Sequence, residues 1–80
     1  MKTLKTQTMH VGNTAIDYSI VVSGESFGLE VSTKGDFEEY ILVEDVTREF
    51  EEAEKLLKMF AENTVFPDNV LEIFDDLLGS

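Results

Sequence analysis

Carboxylates are the side chains of this sequence with the clearest potential for chemistry. Glu72, Asp75 and Asp76 are spaced three and four residues apart, which places them on one side of a helix. Carboxylate oxygens in such an arrangement suit calcium or magnesium, or the positive side chains of a basic partner. Runs of charge are more often a solvated helix face, and the loop spacing of an EF-hand is absent. We therefore favour a solvated face and keep a partner-binding surface as the alternative.

Two other candidates for chemistry have less support. Glu44 and Asp45 lie where a strand pattern changes to a helical one. Asp45 is therefore either a catalytic acid at a strand end or, as we favour, a cap for the main-chain amides at the start of the helix. His10 is the single histidine, and no serine, cysteine or carboxylate is fixed beside it. The chain has no cysteine, which excludes thiolate ligands and disulfides. We expect no catalytic residue, no cofactor, no metal and no enzymatic activity.

Alternation of apolar and polar residues predicts strands over the first half of the chain. The clearest one has Ile16, Tyr18, Ile20 and Val22 on a single face. Short turns connect the strands, which favours an antiparallel meander. The predicted strands span about 3–11, 14–23, 27–33 and 38–43.

The fourth predicted strand differs from the others because Tyr40–Val43 is apolar on both faces. Such a strand is either covered on both sides or placed at a sheet edge where a partner makes contact. Tyr40 and Leu42 are therefore candidate partner-binding residues.

A helical period replaces the strand period near Thr47. Thr47 is the predicted N-cap of a helix over about 48–62, and Asn63 can end that helix in the left-handed conformation. Pro67 fits the first turn of a second helix over about 67–78. Each helix has an apolar stripe, made of Phe50, Ala53, Leu57, Phe60 and Ala61 in the first and Val70, Leu71, Phe74, Leu77 and Leu78 in the second.

These elements predict a single α+β domain over residues 1–80, a meander of three to four strands followed by two helices (ββββαα). We expect the helices to pack on one face of the sheet. In this arrangement Leu57, Phe60 and Phe74 contact the face formed by Ile16, Tyr18, Ile20, Phe27, Leu29 and Val31.

The net charge of −11 is segregated along the chain. Residues 1–35 contain three acidic and three basic residues, whereas residues 36–80 contain fourteen acidic and three basic ones. Such a surface disfavours direct binding to nucleic acid or to an anionic membrane. A basic protein partner is compatible with it.

Several segments resemble a family of short bacterial proteins, mostly from Gram-positive bacteria, classed as a domain of unknown function. The resemblance covers about residues 15–78. Asn69 stands where related sequences carry a histidine, so a role of that histidine does not transfer. The resemblance implies a fold and a bacterial setting but no activity. Its motifs are Tyr18, Phe27-Gly28-Leu29, Glu44-Asp45-Val46-Thr47, Val65-x-Pro67 and Asp75-Asp76-Leu77-Leu78.

Two functional hypotheses follow. The first is a cytoplasmic interaction or regulatory module, since the chain has neither an export signal nor an apolar run of membrane-spanning length. Its partner is an unknown protein, and the acidic charge is compatible with a basic one. A homodimer is a further option because a thin core gains from added apolar burial. The alternative is a nucleic-acid mimic that inhibits a basic DNA- or RNA-binding protein.

Overall fold

The computed structural model describes residues 2–36 and 38–79, with side chains up to residue 76. It contains four strands and two helices, so the predicted ββββαα arrangement of the α+β class is confirmed. The elements are β1 (Lys2–Val11), β2 (Thr14–Ser23), β3 (Ser26–Lys34), β4 (Tyr40–Thr47), α1 (Phe50–Glu62) and α2 (Pro67–Gly79).

All neighbouring strands are antiparallel, and their order in the sheet follows their order in the chain. Two-residue turns, Gly12-Asn13 and Gly24-Glu25, join the first three strands. Each has a glycine with positive φ, 59° and 65°, at its first position, as a type II′ turn requires. The link from β3 to β4 is longer and is closed by the main-chain N–H of Thr33, which donates to the carbonyl of Glu39.

Both helices cover the same face of the sheet and form the core with it. Phe60 and Phe74, one from each helix, meet edge to face with ring centroids 5.8 Å apart. The predicted packing of Leu57, Phe60 and Phe74 on the sheet is confirmed, with Phe27 partly buried at its margin. The buried core consists of Ile16, Tyr18, Ile20, Leu29, Val31, Ala53, Leu57, Phe60, Ala61, Val65, Val70 and Phe74.

On the opposite face of the sheet, polar side chains of β1 and β2 pair across the strands. The Thr6 and Ser19 hydroxyls are 3.0 Å apart, and Thr8 donates to Asp17 at 2.6 Å. These residues lie directly opposite each other in the β1–β2 register. Cross-strand hydrogen bonds of this kind contribute to the stability of the sheet. We call this surface the open face.

The start of α1 differs from the sequence-based prediction. β4 runs to Thr47, and the helix begins at Phe50 with Glu49 as its N-cap. Thr47 is therefore not the N-cap; its hydroxyl instead accepts from the main-chain N–H of Glu49 at 3.1 Å. The strand outlasts its predicted end because Val46 is still half-buried and packs against the core.

The end of α1 also differs. Asn63 has φ −97° and is not left-handed, whereas Thr64 has φ 49°. The N–H of Val65 donates to the carbonyl of Phe60 and that of Thr64 to Ala61, which is a Schellman motif with Thr64 in the left-handed position. Asn63 contributes differently, because its side-chain amide donates to the carbonyl of Met59 at 2.8 Å.

In α2, Val70 and Phe74 are buried as predicted, but Leu71 is 58% exposed and does not belong to the apolar face. Leu71 follows Val70 by one position, which rotates it about 100° away from the sheet. The predicted apolar positions Leu77 and Leu78 lie outside the described side chains.

Candidate functional site

β4 is an edge strand, because the sheet order is β1-β2-β3-β4. The interpretation of Tyr40–Val43 as a strand covered on both sides is wrong because Tyr40 is exposed, whereas the alternative position at a sheet edge holds. Ile41 and Val43 turn toward the helices and pack against the core. Tyr40 and Leu42 lie on the open face, opposite Ser32 and Glu30 in β3.

The main chain of β4 presents unused hydrogen-bonding groups along this edge. Glu39 bonds to Thr33 of β3, and hydrogen bonds to a neighbour alternate along an antiparallel strand. Tyr40 and Leu42 are therefore the residues whose N–H and C=O groups point away from β3. Among the described residues no further strand pairs with this side. We call this row of groups the outer edge of β4.

Beside the outer edge lies a cleft of about 320 Å³ that we call the β4 cleft. β4 supplies one wall, and α1 and α2 supply the other. The apolar side chains in it are Val43, Val46, Leu56 and Phe74, and the polar ones are Glu44, Asp45, Thr47 and Glu52. An apolar floor within a rim of three carboxylates suits a ligand that is both apolar and positively charged.

Asp45 has an unusual conformation at the rim of this cleft. Its φ is 53°, in the left-handed region, where β4 shifts its register against β3 between Phe27 and Leu29. The hydroxyl of Ser26 donates to its carboxylate. Because Asp45 precedes the start of α1 by five residues and bonds to Ser26, its interpretation as a helix cap is wrong.

Gly28 determines how closely β4 approaches β3 at this register shift. A Cβ atom added at Gly28 would lie 2.5 Å from the carbonyl oxygen of Val43 and 3.2 Å from the Cα of Glu44. Only glycine fits this contact, since real Cβ atoms do not come so near a main-chain oxygen. The shape of the β4 cleft thus depends on a glycine in the neighbouring strand.

Tyr40 is fixed on the open face by a polar contact. Its hydroxyl donates to the Glu30 carboxylate at 2.9 Å, and this hydrogen bond raises the pKa of Tyr40 above its ordinary value. The side chain is nevertheless 62% exposed. It therefore presents a neutral, oriented aromatic ring next to the outer edge.

The acidic cluster predicted on α2 lies outside the β4 cleft. Glu72, Asp75 and Asp76 are all exposed. Glu72 and Asp76 line a groove of about 550 Å³ between the end of α1 and α2, together with Asn63 and Asn69. Asp75 does not line this groove, and within residues 2–36 and 38–76 no three His, Cys, Asp or Glu side chains are arranged to hold a metal ion.

Sequence reasoning singled out Glu44 and Asp45, which line the β4 cleft, and Tyr40 and Leu42, which lie beside it on the open face. It did not identify the other cleft residues as a site. The cleft also contains residues from the two helices, namely Glu52, Leu56 and Phe74. Sequence periodicity does not predict how these helices are oriented relative to β4. One signal for the cleft was available in the sequence. Val46 is an apolar residue placed after Glu44 and Asp45, which indicates that β4 extends beyond these two acidic residues. His10 is exposed on β1 and does not contribute to the cleft.

The fold and this site define a small α+β domain with one face of its sheet covered by two helices and a cleft at one sheet edge. The chain belongs to a family of unknown function (DUF6514), whose model matches residues 2–80. No curated protein and no solved structure matches it. None of the helices in the described part of the chain is both long and apolar enough to cross a membrane.

Proposed function

We propose that this protein is a small interaction module of the bacterial cytoplasm, without catalytic activity, that binds a basic segment of another protein at the β4 cleft. One observation carries the proposal. The cleft joins an apolar floor, formed by residues of β4, α1 and α2, to a rim that contains Glu44, Asp45 and Glu52. Apolar burial supplies affinity, and the carboxylates select a positively charged partner.

The net charge of the C-terminal half of the chain also favours a basic protein as the partner. The half of the chain that forms β4 and both helices has a net charge of −11, so a basic protein is attracted before contact. Salt weakens this attraction, because the Debye length is about 8 Å at physiological ionic strength. The apolar floor predicts that part of the binding survives at high salt.

The test is affinity capture from a lysate of the organism that encodes the protein, with three baits. The first is the wild-type chain, and the second is Glu44→Lys/Glu52→Lys, which reverses two rim charges. The third, Glu51→Lys/Glu62→Lys, makes the same change in net charge on the other side of α1, where both residues line a groove with Lys5 and Lys58. All four positions are exposed, so we expect both variants to fold.

We expect a specific partner to be captured by the wild type and the third bait and to be lost from the second. A partner that both variants lose equally, and that duplex DNA displaces, would replace the proposal with nucleic-acid mimicry. A partner that neither variant affects would contradict a role for the β4 cleft.

A further inference from the structure

The two open edges of the sheet differ in how they are protected against pairing. Exposed edges of natural sheets commonly carry lysine, proline or bulges that block an incoming strand. β1 has such devices, with Lys2 and Lys5 in the strand and a register shift between Thr3 and Lys5. Its side chains are exposed on both faces along most of its length.

β4 lacks these devices over Tyr40–Val43. This segment contains no lysine or proline, and its register with β3 is regular from Tyr40 to Val43. The register shift comes only beyond Val43. Its outer edge therefore offers a regular row of main-chain donors and acceptors beside an apolar cleft.

From this contrast we infer that the partner segment binds as an added β-strand along the outer edge of β4. This inference rests on the proposed function and specifies its binding mode. The added strand pairs with the main chain of Tyr40 and Leu42, and alternate side chains enter the β4 cleft. The remaining side chains lie on the open face beside Tyr40.

The acidic residues on both sides of Tyr40–Val43 determine which kind of strand can bind along the outer edge of β4. Glu38 and Glu39 precede Tyr40–Val43, and Glu44 and Asp45 follow it. In an antiparallel pair with a second copy centred on this segment, the outward residue Tyr40 must lie opposite the outward residue Leu42 of the other copy. This register places Glu38 of each copy opposite Glu44 of the other, and like charges in such positions are destabilising. An extended segment with Lys or Arg on either side of apolar residues complements these carboxylates. The occupant is therefore a basic segment of a different protein and not a second copy.

The experiment uses a displayed library of random twelve-residue peptides, selected on the full chain. We expect the selected peptides to share basic residues around alternating apolar ones. Their affinity is then compared for Leu42→Pro and Leu42→Ala. Proline removes the outward N–H and is tolerated at a sheet edge, whereas alanine removes the side chain and keeps the N–H.

Loss of the one hydrogen bond from the Leu42 N–H predicts about a tenfold loss of affinity for Leu42→Pro. Leu42→Ala keeps that hydrogen bond and should lose only about twofold, through its shorter side chain. Far-ultraviolet circular dichroism and urea unfolding establish that both variants are folded. A peptide N-methylated at one set of alternate residues should lose binding, whereas methylation of the other set should leave it.

Three results would overturn the inference: no selected peptide, equal binding by Leu42→Pro and Leu42→Ala, or equal effects of the two methylation patterns. The proposed function is tested separately. Suppose that the Leu42 variants or the methylated peptides contradict strand addition. If binding of the same peptide nevertheless falls for Glu44→Lys/Glu52→Lys but not for Glu51→Lys/Glu62→Lys, the β4 cleft binds the segment without strand addition. If neither double variant changes binding, the proposed function fails as well.

Discussion

The hydroxyl of Tyr18 donates a hydrogen bond to the main-chain carbonyl of Val65 at 2.7 Å. Tyr18 lies in the middle of β2 and is fully buried, and Val65 lies in the turn between α1 and α2. This contact joins the centre of the sheet to the connection that sets the position of α2. It therefore holds Phe74, and with it one wall of the β4 cleft, in place.

Replacement of Tyr18 by Phe removes this hydrogen bond and leaves the carbonyl of Val65 without its partner. We expect a loss of about 1–3 kcal/mol in the free energy of unfolding, which is typical of an unsatisfied buried group. Tyr40→Phe is the control, since it removes an exposed hydrogen bond and should cost less than about 0.5 kcal/mol. Urea unfolding measures both. Equal effects would mean that the Tyr18 contact does not stabilise the fold.

The same hydroxyl makes stability depend on alkaline pH. Burial raises the pKa of Tyr18 from its ordinary value of 10.0 to about 12. The pKa of Tyr18 is higher in the folded state than in the unfolded state. The protonated hydroxyl therefore contributes to the free energy of unfolding fully below pH 10, and this contribution is lost as the pH rises from 10 to about 12. The loss should reach about 2–3 kcal/mol, at 1.36 kcal/mol for each unit.

Unfolding of the wild type and of Tyr18→Phe across this pH range checks the effect. Lysine deprotonation acts on both proteins and cancels in the difference. The stability gap between the two should narrow above pH 10. A gap that stays constant to pH 12 would show that Tyr18 ionises without penalty in the folded state.

Gly28→Ala should destabilise the protein through the close contact with Val43. The added methyl group meets a main-chain oxygen at 2.5 Å, and that oxygen can withdraw only if β4 moves away from β3. We expect a cost of about 1–3 kcal/mol, as for other overpacked sites. Ser32→Ala, on the open face of the same strand, is the control and should change stability by less than about 0.5 kcal/mol. A mild effect at Gly28 would mean that β4 is less closely apposed to β3.

Thr64→Gly should stabilise the protein. A β-branched residue rarely adopts positive φ, and the left-handed conformation costs a non-glycine residue about 1–2 kcal/mol. Glycine relieves this strain but adds freedom to the unfolded chain, so we expect a net gain of about 0.5–1 kcal/mol in the free energy of unfolding. Thr64→Ala keeps a Cβ atom and should gain less. If both variants are destabilised, the side chain of Thr64 makes a contact that outweighs its backbone strain.

The sequence was sufficient for the fold because its periodicities are strong. Ile16, Tyr18 and Ile20 alternate without interruption, and Phe60 and Phe74 fall on helical stripes, so the covered face of the sheet could be predicted. The ends of the helices were harder to predict from the sequence. Thr47 and Asn63 have good capping chemistry, but packing of Val46 extends β4 and the Schellman motif places Thr64, not Asn63, in the left-handed position.

The candidate site was only half predictable. The apolar run at Tyr40–Val43 indicated an unusual strand, and local sequence could not say whether it was central or at an edge. That choice depends on the order of all four strands. The β4 cleft combines residues up to about thirty positions apart in the chain, so it exists only once both helices are docked. The cluster of Glu72, Asp75 and Asp76 was the most visible motif and lies outside this cleft.

Amide hydrogen exchange at Tyr40 and Leu42, measured by nuclear magnetic resonance, tests the central claim most directly. In the free protein the N–H groups of both residues face away from β3 and should exchange quickly, unlike those within the ladder. With a selected basic peptide bound, their exchange should slow at least about tenfold, while the amide of Leu29 inside the sheet changes little. Unchanged exchange at Tyr40 and Leu42 under saturating peptide would contradict strand addition at the outer edge of β4.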